Sequence, residues 1–255
     1  MTRSFTLRVL AGAALISLAA AAQAGTLTMQ SWLFANGGNH VSTSGNHSYS
    51  GAAGGFKGAL SGMSQSMFNL NPIDMYCVDL GRFIDITNGR NYTVNISGES
   101  GNFDFTIMSA ALVFPGMVAT RLSQLVSYAK SAPTVVGIAA ESTSLQLAIW
   151  NTLYDTDNTL TAPGSVAGVG TPGIFSDSSS YMGYANTLLS ESVGFGSTKD
   201  LYVLRSFATV GKTGFQDQLF WVDTPRRNDV PEPASLALVA LALGAAGLVS
   251  RRRRV

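Results

Sequence analysis

Residues 145–155 read LQLAIWNTLYD, an almost wholly apolar segment that also contains an amide side chain. At helical spacing Gln146, Ile149, Trp150 and Leu153 fall at i, i+3, i+4 and i+7, so the glutamine shares one stripe with three large apolar side chains. A segment that is apolar nearly all round predicts a buried helix. Burying an amide without hydrogen-bond partners costs about 1–3 kcal/mol, so Gln146 requires either partners or a chemical role.

The only cysteine of the chain, Cys77, lies in the segment MYCVDL at residues 75–80. The surrounding pattern predicts a strand over residues 73–86, in which Asp79 shares a face with Cys77. A carboxylate at that position raises the pKa of a thiol rather than lowering it. A single cysteine also excludes an intramolecular disulfide framework.

The two segments together resemble the paired motifs of bacterial thioester domains, a Tyr-Cys segment and a Gln-x-Ala-Ile-Trp helix. The matching residues are Tyr76 and Cys77, followed by Gln146, Ala148, Ile149 and Trp150. The resemblance implies that the Cys77 thiol attacks the Gln146 carboxamide, that ammonia leaves and that an internal thioester forms. A lysine amine or another nucleophile on a surface partner can open such a bond and become attached through Gln146. Trp150 would pack beneath the bond and exclude water, and Tyr76 would flank it.

Two simpler interpretations of the same residues stay open. A lone cysteine is commonly a small buried hydrophobe, so Cys77 can be an ordinary core residue. Gln146 also lies three residues after Thr143, which is the spacing of a capping box. In that arrangement Thr143 is the N-cap residue of the helix and Gln146 reaches back to its backbone amide.

The N-terminal residues 1–24 have the pattern of a secretory signal peptide. Two arginines precede the apolar run of residues 9–22, and Ala-Gln-Ala at residues 22–24 has small side chains where signal peptidase requires them. We expect cleavage after Ala24 and export of the mature chain.

Export matters for Cys77. In an oxidising compartment its unpaired thiol is a liability unless it is buried, paired with another chain or consumed in another bond.

The C-terminal residues 230–255 carry the most specific motif of the chain. Its parts are Pro231, Glu232 and Pro233, then the apolar run Ala234–Ser250, then Arg251, Arg252, Arg253 and Arg254. They correspond to a helix breaker, a transmembrane helix of marginal length and a basic stop that stays cytoplasmic. The segment closely resembles the PEP-CTERM sorting signal. The resemblance implies export by a Gram-negative, exopolysaccharide-producing bacterium and processing by an exosortase at or near Pro-Glu-Pro; the alternative is a plain membrane anchor.

The charge of the chain changes once these ends are set aside. Two of the sixteen basic residues lie in the signal peptide and four in the final cluster, whereas only Glu232 of the fifteen acidic residues lies in the tail. The mature domain therefore has a net charge of about −4 instead of +1. Its basic residues are scattered, so we expect no nucleic-acid partner.

Between the two ends, residues 25–223 predict a single α+β domain that is mainly β, a sandwich or barrel with a helical insert. The signal helix and the C-terminal hydrophobic helix flank it, and residues 224–229 form a short linker. Alternating patterns predict strands over residues 25–34, 73–86, 91–97, 201–209 and 218–222. Helical spacing predicts helices over residues 120–129, 144–154 and 179–192. Asn88-Gly89 predicts a hairpin turn between the second and third strands.

Two histidines, His40 and His47, lie in a segment rich in Gly, Ser and Asn. No Cys, Asp or Glu lies between or beside them, so we expect solvated loop side chains, no metal site and no cofactor. A cysteine hydrolase would pair one of them with Cys77, but no motif of that class surrounds the cysteine. Gly-x-Ser-x-Gly, His-Glu-x-x-His and phosphate-loop motifs are absent from the sequence, and we expect no enzyme.

The sequence leaves two functions open for this exported protein. The first is a covalent adhesin of the cell surface or biofilm matrix that acts through the thioester. The alternative is a non-covalent structural or carbohydrate-binding matrix protein without that bond. Expected partners are the exosortase, the inner membrane through the C-terminal helix, and a surface protein or polysaccharide that supplies the nucleophile. We expect export through the inner membrane, transient anchoring there, and then a place at the cell surface or in the extracellular matrix.

Overall fold

A computed structural model describes residues 24–35, 39–44, 49–97, 102–155, 159–160, 176–177, 181–207 and 214–224. The predicted signal peptide up to residue 23, the linker after Thr224, the sorting signal and His47 lie outside the described residues. Within the described ranges no helix is long and apolar enough to cross a membrane.

Seven strands close into a barrel. They are β1 (Gly25–Trp32), β4 (Phe56–Ser61), β5 (Leu70–Cys77), β6 (Asn91–Ile96), β7 (Phe105–Ser109), β9 (Lys199–Arg205) and β10 (Gln218–Asp223). Their order around the barrel is β1-β4-β5-β10-β9-β7-β6, and β6 pairs again with β1. All neighbours are antiparallel except β6 and β7, which are parallel. Of the two β architectures that the sequence predicted, the barrel is the one found.

A small second sheet and four helices cover part of the barrel. The sheet has the order β3 (Tyr49–Ala53), β2 (Asn39–Ser44) and β8 (Ser176–Asp177). The helices are α1 (Ala110–Val113), α2 (Gly116–Ala129), α3 (Ala139–Tyr154) and α4 (Met182–Glu191), with short 3-10 turns at Leu33–Ala35 and Ser66–Phe68. The α3 residues 142–152 are all buried, which confirms the buried helix predicted from the sequence.

The strand predicted over residues 73–86 is found only up to Cys77, and the strand predicted over residues 91–97 is found as β6, but their pairing as a hairpin was wrong. β5 ends at Cys77, because the Asp79 carboxylate accepts the backbone N–H of Gly81 at 2.8 Å and forms a turn instead of continuing the strand. The Asn88-Gly89 turn is present, with Gly89 at φ +82°. Gly89 N–H donates to the Met29 carbonyl, so the turn docks on β1 and brings β6 next to β1 rather than next to β5.

Strand direction gives the barrel two distinct ends. At one end β5 finishes at Cys77 and β10 starts at Gln218, its register partner; we call this the Cys77 end. At the other end β7 finishes, β9 starts and β10 finishes at Asp223, directly before Thr224; we call this the Thr224 end. The mature N-terminus expected at Gly25 also lies at the Thr224 end, since β1 starts there.

Candidate functional site at Cys77

The position of Gln146 follows from where α3 begins. The helix begins at Ala139, and the Glu141 carboxylate accepts the backbone N–H groups of Gly137 at 2.6 Å and Ile138 at 3.1 Å. The capping box with Thr143 as N-cap residue was therefore wrong, because Thr143 lies in the second turn. Its hydroxyl contacts the Ala53 carbonyl at 2.8 Å instead. Gln146 is thus an interior helical residue, and its side chain is fully buried.

The carboxamide of Gln146 binds the backbone of Cys77 through two hydrogen bonds. Cys77 N–H donates to Gln146 Oε1 at 2.9 Å, and Gln146 Nε2 donates to the Cys77 carbonyl at 2.8 Å. On this side of β5 the neighbouring strand β4 begins at Phe56, which pairs with Met75, so Cys77 lies beyond the paired residues. The side-chain amide of Gln146 therefore pairs with the backbone N–H and carbonyl of Cys77, as the backbone of a further β4 residue would.

Two further glutamines lie beside the sulfur, and no sequence motif pointed to either of them. Cys77 Sγ donates to Gln216 Oε1 at 2.9 Å, and Gln218 Nε2 lies 3.7 Å from the sulfur. Gln218 is fully buried, and no hydrogen-bond partner for its Oε1 is found among the described residues. Gln216 Nε2 donates to the Asp79 carbonyl at 2.7 Å, which ties the β5 end to the start of β10.

The thiol is shielded from solvent and holds its proton. Cys77 is only 5% exposed. Burial raises the pKa of the Cys77 thiol to about 12, with a further rise from the charge of Asp79 and an opposing effect from the Gln218 hydrogen bond. The direction expected for Asp79 from the sequence is thus found, although Asp79 acts from a turn and not from the strand.

Tyr76 is buried beside the site and fixes the connection between the small sheet and the barrel. Its hydroxyl lies 3.0 Å from Ser142 Oγ, which also accepts the Gly55 N–H at 2.9 Å. Burial raises the pKa of Tyr76. Gly55 has no room for a side chain, because an added Cβ would lie 2.7 Å from the Tyr76 ring.

The aromatic cover of the site comes from α3 and the small sheet. Trp150 is buried, and its ring centroid lies 5.0 Å from that of Tyr49. Burial, together with the nearby Cys77, raises the pKa of Tyr49 to about 12. Tyr154 donates its hydroxyl to the Val78 carbonyl at 2.8 Å, and Ala148 and Ile149 are fully buried in α3. The residues predicted to support the thioester therefore lie together around Cys77 and Gln146 or on the same helix.

A surface cavity of about 710 Å³ lies next to Gln216. Residues 81–85 and 214–215 line it, and the Gln216 N–H donates to the Phe83 carbonyl at 3.2 Å. Phe83 is 75% exposed. His40 is exposed as expected, but it lies on strand β2 and not in a loop, so that part of the prediction was wrong. Within the described part of the chain, no group of three or more His, Cys, Asp or Glu side chains could hold a metal ion.

Comparison with known protein families finds the PEP-CTERM protein-sorting motif over residues 229–254. This chain carries a PEP-CTERM sorting signal. It is an exported protein that an exosortase sorts, and the signal anchors its C-terminus transiently in the membrane. Neither the curated proteins nor the solved structures contain a match to the chain.

The candidate site and the point where the chain continues towards the sorting signal lie at opposite ends of the barrel. β10 starts beside Cys77 at Gln218 and finishes at Asp223, after which the chain continues towards the signal. At about 3.3 Å per residue, β10 spans roughly 17 Å from Gln218 to Asp223. A domain held through its C-terminal signal therefore carries Cys77 at the end remote from its attachment.

Proposed function

We propose that this PEP-CTERM protein is a covalent adhesin of the cell surface or biofilm matrix. Cys77 and Gln146 form an internal thioester, and a nucleophile on a surface protein or polysaccharide opens it. The observation that carries the proposal is the pair of hydrogen bonds between the Gln146 carboxamide and the Cys77 backbone, at 2.9 and 2.8 Å. They hold the reacting amide against the residue that supplies the sulfur.

The same hydrogen bonds suit the bond-forming step. Cys77 Sγ attacks the Gln146 carboxamide carbon, the C–N bond breaks, and the thiol proton leaves with the nitrogen as ammonia. Cys77 N–H donates to Oε1, where negative charge develops in the tetrahedral intermediate, as an oxyanion-hole donor does. The Cys77 carbonyl orients the departing nitrogen through its hydrogen bond from Nε2.

Attachment reverses the roles of sulfur and nitrogen. The amine of the partner attacks the same carbon, a C–N bond forms, the C–S bond breaks and a proton returns to the sulfur. Gln218 Oε1 is a buried acceptor on the residue that contacts the sulfur, and it can accept an N–H of the entering amine. Each molecule reacts once, so the proposed activity is not enzymatic turnover.

Exclusion of water supports a long-lived thioester. Cys77 is 5% exposed, and Gln146 and Trp150 are at most 1% exposed. A partner amine therefore reaches the bond only after local opening, and the cavity next to Gln216 is a recess through which it can approach.

Intact mass of the mature protein tests the proposal. We expect a mass lower than the sequence by one ammonia. Methylamine treatment should then raise it to one methylene above the sequence mass, because methylamine replaces the lost ammonia. Cys77→Ala and Gln146→Ala should show neither the deficit nor the methylamine adduct. Gln124→Ala, a change of a helical glutamine that contacts Arg121 instead, should retain both.

The second candidate function is a non-covalent structural or carbohydrate-binding protein of the matrix. What favours it is that Gln146 already has a structural reason to be buried, since it pairs the backbone N–H and carbonyl of Cys77. An intact mass equal to the sequence, with a thiol that reacts only after unfolding, would reject the thioester and leave this function.

A further inference from the structure

The α1–α2 corner, residues 110–118, exposes large apolar side chains to solvent. Leu112 is 73% exposed and Met117 is 84% exposed. The sequence contains no charged residue from Phe105 to Thr120, so the corner itself carries no charge, although Lys199 and Asp200 lie across the groove beside it. Contiguous exposed apolar surface on a globular domain commonly marks an interaction site.

The corner lies at the Thr224 end of the barrel, where the chain continues towards the sorting signal. β7 finishes at Ser109 and passes directly into α1, while Thr224 N–H donates to the Thr198 carbonyl just before β9. A groove of about 520 Å³ separates the corner from the start of β9, with Gly116 and Ala119 on one side and Lys199 and Tyr202 on the other. The corner and the attachment point are therefore neighbours on one face.

The length of chain after Thr224 fixes how far this face can lie from a bilayer. Nine residues, 225–233, precede the apolar run Ala234–Ser250. Fully extended, nine residues span at most about 30 Å. While the sorting signal is anchored in the membrane, Thr224 is held within this distance of the lipid surface, and the corner on the same face is held near the lipid at a high effective concentration.

We propose that the α1–α2 corner contacts the lipid bilayer while the sorting signal anchors the protein. Leu112 and Met117 enter the interfacial region of the bilayer, and the barrel then stands with its Thr224 end on the membrane and its Cys77 end directed away. The occupant is lipid because the tether presents a bilayer to this face. Because the corner carries no charge, contact does not require anionic lipid. The inference does not depend on the thioester.

The test uses the full chain reconstituted in phosphatidylcholine vesicles. Met117→Cys and Phe83→Cys are labelled separately with an environment-sensitive fluorophore, in a Cys77→Ala background that leaves one thiol. Both positions are exposed, but Phe83 lies beyond the Cys77 end, so it is the matched control. Lipids brominated along the acyl chain should quench the label at position 117 several-fold more strongly than the label at position 83.

Other outcomes overturn the proposal. Equal quenching at the two positions would mean that the corner does not enter the bilayer. A spectral shift at position 117 that grows with protein density and is insensitive to brominated lipid would assign the corner to a second copy of the chain. Adding Leu112→Ser to the labelled chain should reduce the quenching at position 117; unchanged quenching would show that the tether alone brings the label near lipid.

Discussion

The Cys77 end and the Thr224 end of the barrel are covered by different helices and differ in the apolar surface that they expose. At the Cys77 end, polar side chains of α3 are buried and bind backbone groups beyond the paired strand residues: Ser142 binds Gly55 and Gln146 binds Cys77. At the Thr224 end, the α1–α2 corner exposes apolar side chains and has space around Gly116. The Cys77 end is therefore closed by buried side chains of α3. The Thr224 end has hydrogen bonds from α2, in which Ser127 Oγ accepts the Thr198 N–H and Ser123 Oγ donates to the Lys199 carbonyl, but it also presents the exposed apolar corner.

Burial alone therefore does not identify a functional site in this molecule. α3 is buried along residues 142–152, yet its polar residues each meet a defined backbone partner, so α3 replaces a missing strand as well as filling the core. The chemistry proposed for Cys77 and Gln146 uses the same contacts that stabilise this end. Substitutions at the two ends should therefore differ in size and kind.

Gln146→Leu should have the largest effect on stability. It keeps a buried apolar side chain but leaves Cys77 N–H and the Cys77 carbonyl without partners, at about 1–3 kcal/mol for each buried group. We expect the free energy of unfolding to fall by roughly 2–6 kcal/mol in urea denaturation. Gln124→Leu, at a half-buried position of α2, should change it by less than about 0.5 kcal/mol. Equal stability of the two variants would show that Gln146 does not close the Cys77 end.

Alkaline pH should weaken the Cys77 end whenever the thiol is free. The pKa of Cys77 is about 12 in the folded protein against an ordinary value of 9.0, so between these values the unfolded chain releases a proton that the folded chain keeps. The contribution of the protonated thiol to the free energy of unfolding is therefore fully present below pH 9. It is lost as the pH rises towards 12, by about 1.4 kcal/mol per pH unit for this one proton.

The check compares the methylamine-opened protein with Cys77→Ala by urea denaturation at several pH values. Tyr49 and Tyr154, whose pKa values burial raises to about 12, contribute to the slope in both proteins. The free energy of unfolding should fall more steeply with pH in the methylamine-opened protein than in Cys77→Ala, and the difference in slope should correspond to one proton. Identical slopes would mean that the thiol is not protonated through this range in the folded protein.

Two glycines compare the ends directly. Gly55→Ala places a Cβ 2.7 Å from the Tyr76 ring and 3.1 Å from Leu33, so we expect overpacking to cost about 1–3 kcal/mol. Gly116→Ala meets nothing within 4 Å at the start of α2, so it should be neutral or stabilise the helix by up to about 1 kcal/mol. Thermal or urea unfolding measures both, and a Gly116→Ala loss as large as that of Gly55→Ala would contradict the open packing of the Thr224 end.

The sequence predicted local structure better than the contacts between distant segments. Period-2 and helical patterns located β1, β6, α2, α3 and α4, because those patterns reflect which side chains each element buries. The strand predicted through residues 73–86 ends early, at Cys77, because the Asp79 side chain forms a turn with Gly81. The Asn88-Gly89 turn contacts β1, a partner that a local pattern cannot specify.

The sequence predicted only those residues of the candidate site that belong to its two motifs. Cys77 and Gln146 were expected to meet, and they do, through the Cys77 backbone. Gln216 and Gln218 were missed, because they reach the sulfur through the register of β10 on β5, which pairs residues about 140 positions apart in the chain. Nothing in their local sequence marks such a pairing.

Leu112→Ser and Met117→Ser should have the smallest effect on stability and thereby sharpen the contrast. Both side chains are mostly exposed, so each change should alter the free energy of unfolding in solution by less than about 0.5 kcal/mol. Leu122→Ala changes a fully buried residue of α2, the helix that also contains Met117. It should lower the free energy of unfolding by about 2–5 kcal/mol in urea denaturation. A loss above 1 kcal/mol for Met117→Ser would mean that the corner packs against the protein. The bilayer contact requires two results together. The stability in solution should be unchanged, and brominated lipid should quench the label at position 117 more weakly in the Leu112→Ser chain. These results would show that Leu112 and Met117 contact lipid and do not stabilise the fold.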